Sequence, residues 1–160
     1  MAKIKRYQKE NYVYYVTSVT KYRRPIFRDT IYARHLLGCI AYFHFTLDFK
    51  LLGYVIMPDH FHLLIQASKN CISRIMKLIK GNFARRYNEL LEQKGSIWQR
   101  RFYDNVLRDK KQIQKKLIYM HRNPLVKGLV DNPGDYEFSS YQQYNKGARK
   151  YFQIPIDPIL

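Results

Sequence analysis

Two periodicities, one of about two residues and one of about three and a half, divide this chain into alternating strands and helices. From Asn11 to Thr20 the stretch NYVYYVTSVT is dense in β-branched and aromatic residues, the composition of a buried or half-buried strand. After a basic loop, KYRRP, apolar positions recur at Tyr32, Leu36, Cys39, Ile40 and Phe43, which predicts a helix from an Asp29 or Thr30 cap to about Phe45. Residues 46–57 and 60–67 read as the two strands of a hairpin broken at Pro58-Asp59. The stripe Ile72, Ile75, Met76, Ile79, Phe83, Tyr87 and Leu90 predicts a second helix over Ile72 to Gln93, closed by Gly95, with Arg74, Lys77 and Arg85 on its outer side. Trp98 to Asp109 has the content of a fourth strand with a basic entrance. A third helix, Lys110 to Arg122, is capped by Asp109 and expected to stop at Asn123, because Pro124 disfavours helical geometry in the residue before it.

The order strand, helix, strand, strand, helix, strand is the split βαβ repeat of an α+β, ferredoxin-like or RRM-like domain. It implies an antiparallel sheet with helices on one face, plus one additional C-terminal helix. The expectation is one domain over residues 1–160, in which 131–160, polar and turn-rich with a Pro-punctuated apolar end, form a C-terminal extension wrapping the domain.

Charge sharpens this picture. Against 12 acidic residues stand 29 Lys and Arg, a net charge of +17, which costs self-repulsion in a folded chain and points to a polyanionic partner, nucleic acid first. No apolar run approaches the ~20 residues of a membrane span, and no apolar segment follows the charged start MAKIKRYQKE, so a soluble, cytoplasmic, DNA-associated protein without a membrane partner is expected. Cys39 and Cys71, far apart and without CxxC spacing, read as two reduced thiols. No P-loop or GxGxxG pattern calls for a nucleotide cofactor.

Candidate chemistry begins at YVIMPDHFHLLIQ, Tyr54 to Gln66. On a strand, His60 and His62 emerge on one face while Phe61 goes to the other, so two imidazoles stand side by side as half of a metal site. A pair of this kind also occurs as ordinary core or surface histidines, and a third ligand has to come from elsewhere. In the last helix, KKQIQKKLIYMHRNP, the core stripe is Ile113, Leu117 and Met120, which places Tyr119 and Asn123 together on a flank one turn apart, with Lys115 and Lys116 close by and His121 on the other side. If that flank faces the histidines, the Asn123 amide oxygen would be a third ligand for a divalent cation and Tyr119 a nucleophile toward phosphorus, its phenolate favoured by the lysines over a resting pKa of ~10. With 15 tyrosines in the chain, a tyrosine that merely bridges core and solvent is the plainer reading of the spacing alone.

Four motifs shift that balance. MPDHFHLLIQ, IWQRRFYDNVLR, YMHRNPLVKGLV and DYEFSSY, in this order from about Tyr54 to Tyr141, resemble the HUH single-tyrosine transposases, specifically the branch of REP-associated tyrosine transposases. The resemblance implies that His60 and His62 are the metal-binding pair, that Asn123 completes the site, and that Tyr119 is the nucleophile. It implies cleavage of single-stranded or hairpin DNA with Mg²⁺ or Mn²⁺, a 5′-phosphotyrosine intermediate, a released 3′ hydroxyl and rejoining of strands. Members occur as monomers or homodimers.

DNA binding would rest on cations and aromatics: Arg23, Arg24, Arg85, Arg86, Arg100, Arg101, Lys115 and Lys116 for phosphates, and Trp98, Phe102 and Tyr103 for stacking on unpaired bases. Two competing readings fit less of the sequence. A non-catalytic single-stranded nucleic-acid-binding regulator on an RRM-like sheet leaves His60, His62, Tyr119 and Asn123 without a use, and a zinc hydrolase built on the histidine pair predicts no covalent DNA intermediate.

Overall fold

The computed structural model describes residues 12–67, 71–145, 151 and 153–159. The basic leader, residues 1–10, the first residue of the predicted opening strand, and parts of the C-terminal extension lie outside the described residues. Strands β1 (Val13–Val19), β2 (Phe49–Met57), β3 (His60–Ala67) and β4 (Tyr103–Leu107) form one antiparallel sheet in the order β2-β3-β1-β4. Helix α1 (Thr30–Thr46) joins β1 to β2, α2 (Ile72–Leu90) joins β3 to β4, and α3 (Lys110–Val126) follows β4. This is the expected βαββαβ order with an additional helix.

Alternation along the central strands assigns each residue a side. Tyr14 and Val16 of β1 and Phe61, Leu63 and Ile65 of β3 face one way and pack against Leu36 and Ile40 of α1 and Ile75, Ile79 and Phe83 of α2. Val13, Tyr15 and Leu64 face the other way, toward Ile113, Leu117 and Met120 of α3, together with Leu52, Val55 and Met57 of β2. The helices therefore cover both faces of the sheet. Because β2 and β3 are buried on each side, their sequences read as near-continuous apolar runs, a pattern that hides which face carries which helix.

Gly53 sets how close α3 comes. It follows an irregularity in the β2–β3 register between Leu51 and Gly53, and a Cβ at this position would lie 2.8 Å from Leu117 Cδ1. A missing side chain in β2 thus gives α3 its seat.

Four boundaries depart from the expectation, one of them the first hairpin strand, which begins at Phe49 rather than at 46 because α1 runs through Thr46. α3 does not stop at Asn123 but runs through Pro124 to Val126, with Lys127 N–H donating to Asn123 O at 3.0 Å and Gly128, at φ 68°, ending it. Pro124 costs the helix one donor, and its ring is buried, so packing outweighs the local preference. The fourth strand begins at Tyr103 rather than Trp98. The Trp98 backbone makes one bridge to Thr20, and its indole turns inward, 6% exposed, among Phe27, Phe61 and Phe83, its Nε1–H donating to Lys80 O. α2 ends at Leu90, which is exposed, three residues before the predicted Gln93.

The extension docks on its own chain along β2. Ile56 N–H donates to Phe138 O, Ser140 N–H to Tyr54 O, and Asp157 N–H to Leu51 O, while Asp157 Oδ2 accepts from Leu51 N–H and lies 2.9 Å from His44 Nε2. Cys39 and Cys71 are free thiols, Cys39 buried in α1 and Cys71 at the N-cap of α2. Among the described residues, no helix is long and apolar enough to cross a membrane.

Candidate active site

β3 begins at His60, directly after the tight turn at Pro58 and Asp59, so both histidines stand near one end of the sheet on the α3 side. α3 starts on Asp109, whose carboxylate accepts from Gln112 N–H at 2.8 Å, and crosses that same face. Because the helix continues past Asn123, the amide stays one turn below Tyr119 on the flank turned toward the histidines. His60, His62, Tyr119 and Asn123 consequently line one cavity of about 400 Å³, with Thr17, Arg23, Asp59 and Lys127 also in its wall.

Both imidazoles are held from behind. His62, buried, stacks on Tyr15 with ring centroids 5.1 Å apart, places Nδ1 2.8 Å from Thr17 Oγ1 and Nε2 3.0 Å from Asn123 Nδ2. Burial, then the neighbouring His60 and the Lys116 ammonium, push its pKa down to about 3, so the ring is neutral at ordinary pH. With Asn123 Nδ2 donating to Nε2, the Nδ1 hydrogen points to Thr17. His60 lies 4.8 Å from His62 between ring centroids and sets Nδ1 2.5 Å from Asp59 Oδ1. The other oxygen of Asp59 accepts from Arg23 at 3.0 Å. Burial alone would raise the Asp59 carboxyl, but hydrogen bonds from His60 and Arg23 outweigh it and hold the group below its ordinary range.

Tyr119 is 56% exposed, its ring 6.5 Å from His62 and 6.4 Å from Tyr15. Lys116 Nζ lies 4.8 Å from the Tyr15 ring centre and 5.3 Å from that of Tyr119, so one ammonium touches both faces. Asn123, by contrast, is 7% exposed. The Tyr119 ring is open to solvent while its polar neighbours are fixed.

The donor set fits a divalent cation. A carboxylate behind His60 and a hydroxyl behind His62 take up the Nδ1 side of each ring and direct Nε2 into the cavity, the arrangement that commonly supports metal-bound imidazoles. Rotating the Asn123 amide brings its oxygen to the same side, and O and N of such an amide are interchangeable until a partner fixes them. Among the described residues no three His, Cys, Asp or Glu side chains are grouped to hold a metal, so the amide would be needed as the third protein ligand.

The remaining predicted positions divide. Arg23 lines the cavity, Lys115 lies with Tyr119, Arg122 and Lys127 along the outer side of α3, and Tyr103, exposed, is paired across the sheet with Thr17. Arg100 and Arg101 are exposed ahead of β4, Arg24 and Phe102 are half-buried, and Phe102 packs against the core. Arg85 and Arg86 pair with Glu89 on α2, on the opposite side of the sheet from the cavity. Trp98 is a core residue and has no face free for a base. His121 points away, as expected, with Nε2 2.9 Å from Ser140 Oγ. Sequence reasoning passed over Asp59, read only as a turn residue, and Thr17 and Tyr15; a carboxylate next to a histidine pair was the available signal for the first.

An antiparallel four-stranded sheet that gathers a strand-borne histidine pair and a helix-borne tyrosine and asparagine into one basic cavity defines a class of protein rather than a single member. The model of the family described as transposase, IS200 like, matches residues 8–123, and the chain belongs to that family. A Haemophilus influenzae protein provisionally described as a REP-associated tyrosine transposase is 30% identical over 106 residues, 59% of this chain and 60% of that one. The Escherichia coli REP-associated tyrosine transposase is 26% identical over 103 residues, 59% and 56% of the two chains. The matched stretch thus spans about three fifths of the length of these relatives. A solved REP-associated tyrosine transposase bound to a REP hairpin superposes with a TM-score of 0.76 at 22% identity over 100% of this chain and 99% of that one. A Deinococcus radiodurans protein provisionally assigned to the transposases superposes at 0.53 with 23% identity, over 74% and 98%. These superpositions share the α+β fold expected from the order of elements.

Proposed function

We propose that this chain is a REP-associated type of transposase that cleaves and rejoins single-stranded or hairpin DNA through Tyr119. The observation that carries the reading is the convergence of Tyr119 and Asn123 from α3 with His60 and His62 from β3 on one cavity walled by Arg23 and Lys127. The relatives named as REP-associated transposases, and the neighbour bound to a REP hairpin, support hairpin DNA as the substrate class. A net charge of +17 supports a polyanion in the same way.

In this reading Arg23 and Lys127 draw a backbone phosphate into the cavity, and the exposed Tyr119 phenol attacks phosphorus. A Tyr119 Oη–P bond forms as the P–O3′ bond breaks, and the phenolic proton lost is balanced by the proton gained on the departing 3′ oxygen. One phosphodiester replaces another, so no co-reactant is consumed and the step reverses when a 3′ hydroxyl returns. Lys116, resting on the Tyr119 ring, steadies the nucleophile and adds positive charge beside it. His60, His62 and Asn123 would hold a divalent cation, which supplies charge neutralisation at a non-bridging phosphate oxygen. Two imidazoles among the ligands weigh toward Mn²⁺ over Mg²⁺, whose sites are built from oxygen.

Tyr119→Phe tests the reading. Incubated with a DNA hairpin bearing single-stranded extensions and Mn²⁺, the native chain is expected to give a denaturation-resistant protein–DNA adduct, and the variant none, with hairpin affinity within about twofold. An adduct of unchanged yield from the variant would remove Tyr119 from the role and with it the reaction.

A further inference from the structure

The turn after β1 breaks the usual rule for its shape. Tyr22, at φ 58° and ψ 23°, and Arg23, at φ 50°, both occupy the left-handed region as the central residues of the Lys21–Arg24 turn, closed by Arg24 N–H to Lys21 O. Positive φ at both central positions is the requirement of type I′ turns, which Asn-Gly and Gly-Gly fill because a Cβ is disfavoured there. Here the two places hold a tyrosine and an arginine.

Surrounding contacts impose the shape. Thr20, fully buried, sets its hydroxyl 2.8 Å from Arg24 O and 3.0 Å from Asp59 O, Thr20 N–H donates to Asp59 O, and Lys21 N–H donates to Ile97 O. The strain is therefore held by the same hairpin turn that precedes His60. Its product is plain: Arg23 reaches Asp59 at the cavity wall, and the adjacent Tyr22 stands 83% exposed, with the Lys21 ammonium 5.2 Å from its ring centre. Strained backbone of this kind clusters at functional sites, and a ring left this exposed repays little of its cost through packing.

We infer that Tyr22 is a stacking platform for an unpaired DNA base next to the cleavage cavity, with Arg23 beside it engaging that nucleotide's phosphate. The assignment rests on the transposase reading and deepens it, supplying, one residue along the chain from the cavity-lining Arg23, the aromatic contact that Trp98, buried in the core, does not provide. Base stacking on an exposed ring tolerates any sequence and needs only a single-stranded segment.

The experiment compares two probes, a DNA hairpin with single-stranded extensions and the same hairpin with none, against the native chain, Tyr22→Gly and Tyr22→Trp. Glycine relieves the left-handed penalty, so Tyr22→Gly should raise the melting temperature by about 2–4 °C. It should also weaken binding of the extended hairpin by about fivefold or more while leaving the blunt hairpin unchanged. Tyr22→Trp should keep the native affinity for both, and 2-aminopurine placed in the extension should be quenched by the native chain and by Tyr22→Trp only. Unchanged affinity of Tyr22→Gly for the extended hairpin, or equal weakening toward both probes, overturns the inference. So does a fall in melting temperature, which would make the ring a structural prop. If the native chain forms the Tyr119 adduct and Tyr22→Gly binds like it, only the platform fails; if the native chain binds neither probe, the transposase reading fails with it.

Discussion

The two faces of the sheet are built from the same strands and do opposite work. On the side of α1 and α2, Tyr14, Val16, Phe61, Leu63 and Ile65 meet an unbroken apolar layer. On the side of α3, the alternate residues begin the same way, with Val13, Tyr15 and Leu64 under Ile113, Leu117 and Met120, and then turn polar at Thr17, His60 and His62 where the cavity opens. Rigidity and chemistry are thus separated by one sheet thickness, and each of β1 and β3 supplies both through its pleat. The closed side holds the histidines still; the open side presents them to the cavity where the proposed reaction would use them.

Substitutions on the two faces should therefore part company. The largest effect belongs to His62→Ala, which removes a proposed ligand and the partner of both Thr17 and Asn123. Mn²⁺-dependent cleavage should fall by more than about 100-fold, read from an Mn²⁺ titration, and near-native cleavage would sink the metal site. Leu36→Ala, fully buried under the closed face, should cost about 2–5 kcal/mol of stability in urea melts, yet each folded molecule should cleave at the native rate. Gly53→Ala is the smaller but more telling change. Its methyl group would press Leu117 away, costing about 1–2 kcal/mol, and by shifting α3 it should slow cleavage where the costlier Leu36→Ala does not. Equal cleavage rates per folded molecule in these two variants would erase the distinction between the faces.

Smallest per step is the response to acid. Burial holds His121 down at about 4 and, as the leading cause, His62 at about 3, against 6.5 for each when exposed. Above pH 6.5 both are neutral folded and unfolded and contribute nothing to the slope. Below it the unfolded chain takes up protons that the folded chain refuses, so stability falls by about 1.4 kcal/mol per pH unit for each ring, until the folded pKa is passed. Metal-free His121→Gln should lose about half of that slope between pH 6 and 4.5 in denaturant titrations; an unchanged slope would mean that His121 is not neutral in the fold.

What could be read in advance was what local periodicity encodes. His60 and His62 share a side because a strand alternates, and Tyr119 and Asn123 share a flank because a helix repeats, so the chemical parts were legible before any tertiary information. Their meeting was supported by resemblance and not by the pattern, since runs such as LLGYVIM, buried on both faces, do not say which side α3 will take. Trp98 misled for a related reason: an aromatic among arginines has the look of a base-stacking residue, and only the packing of Phe27, Phe61 and Phe83 reveals the slot that it fills. Pro124 misled because its rule is local, while its buried ring is stabilised by tertiary packing. Asp59 was hidden by its place in a turn, where an aspartate needs no further reason.

The seat of α3 on Gly53 has a consequence for how this protein responds to heat. Ten buried apolar residues form the layer between this helix and the sheet, while a far larger core secures the rest, so the first subglobal opening on warming should be the lifting of α3. That motion would carry Tyr119, the proposed nucleophile, out of reach of the histidines with every strand still paired. Thermal inactivation should therefore come well before melting, and cooling should restore cutting without any need to refold the sheet.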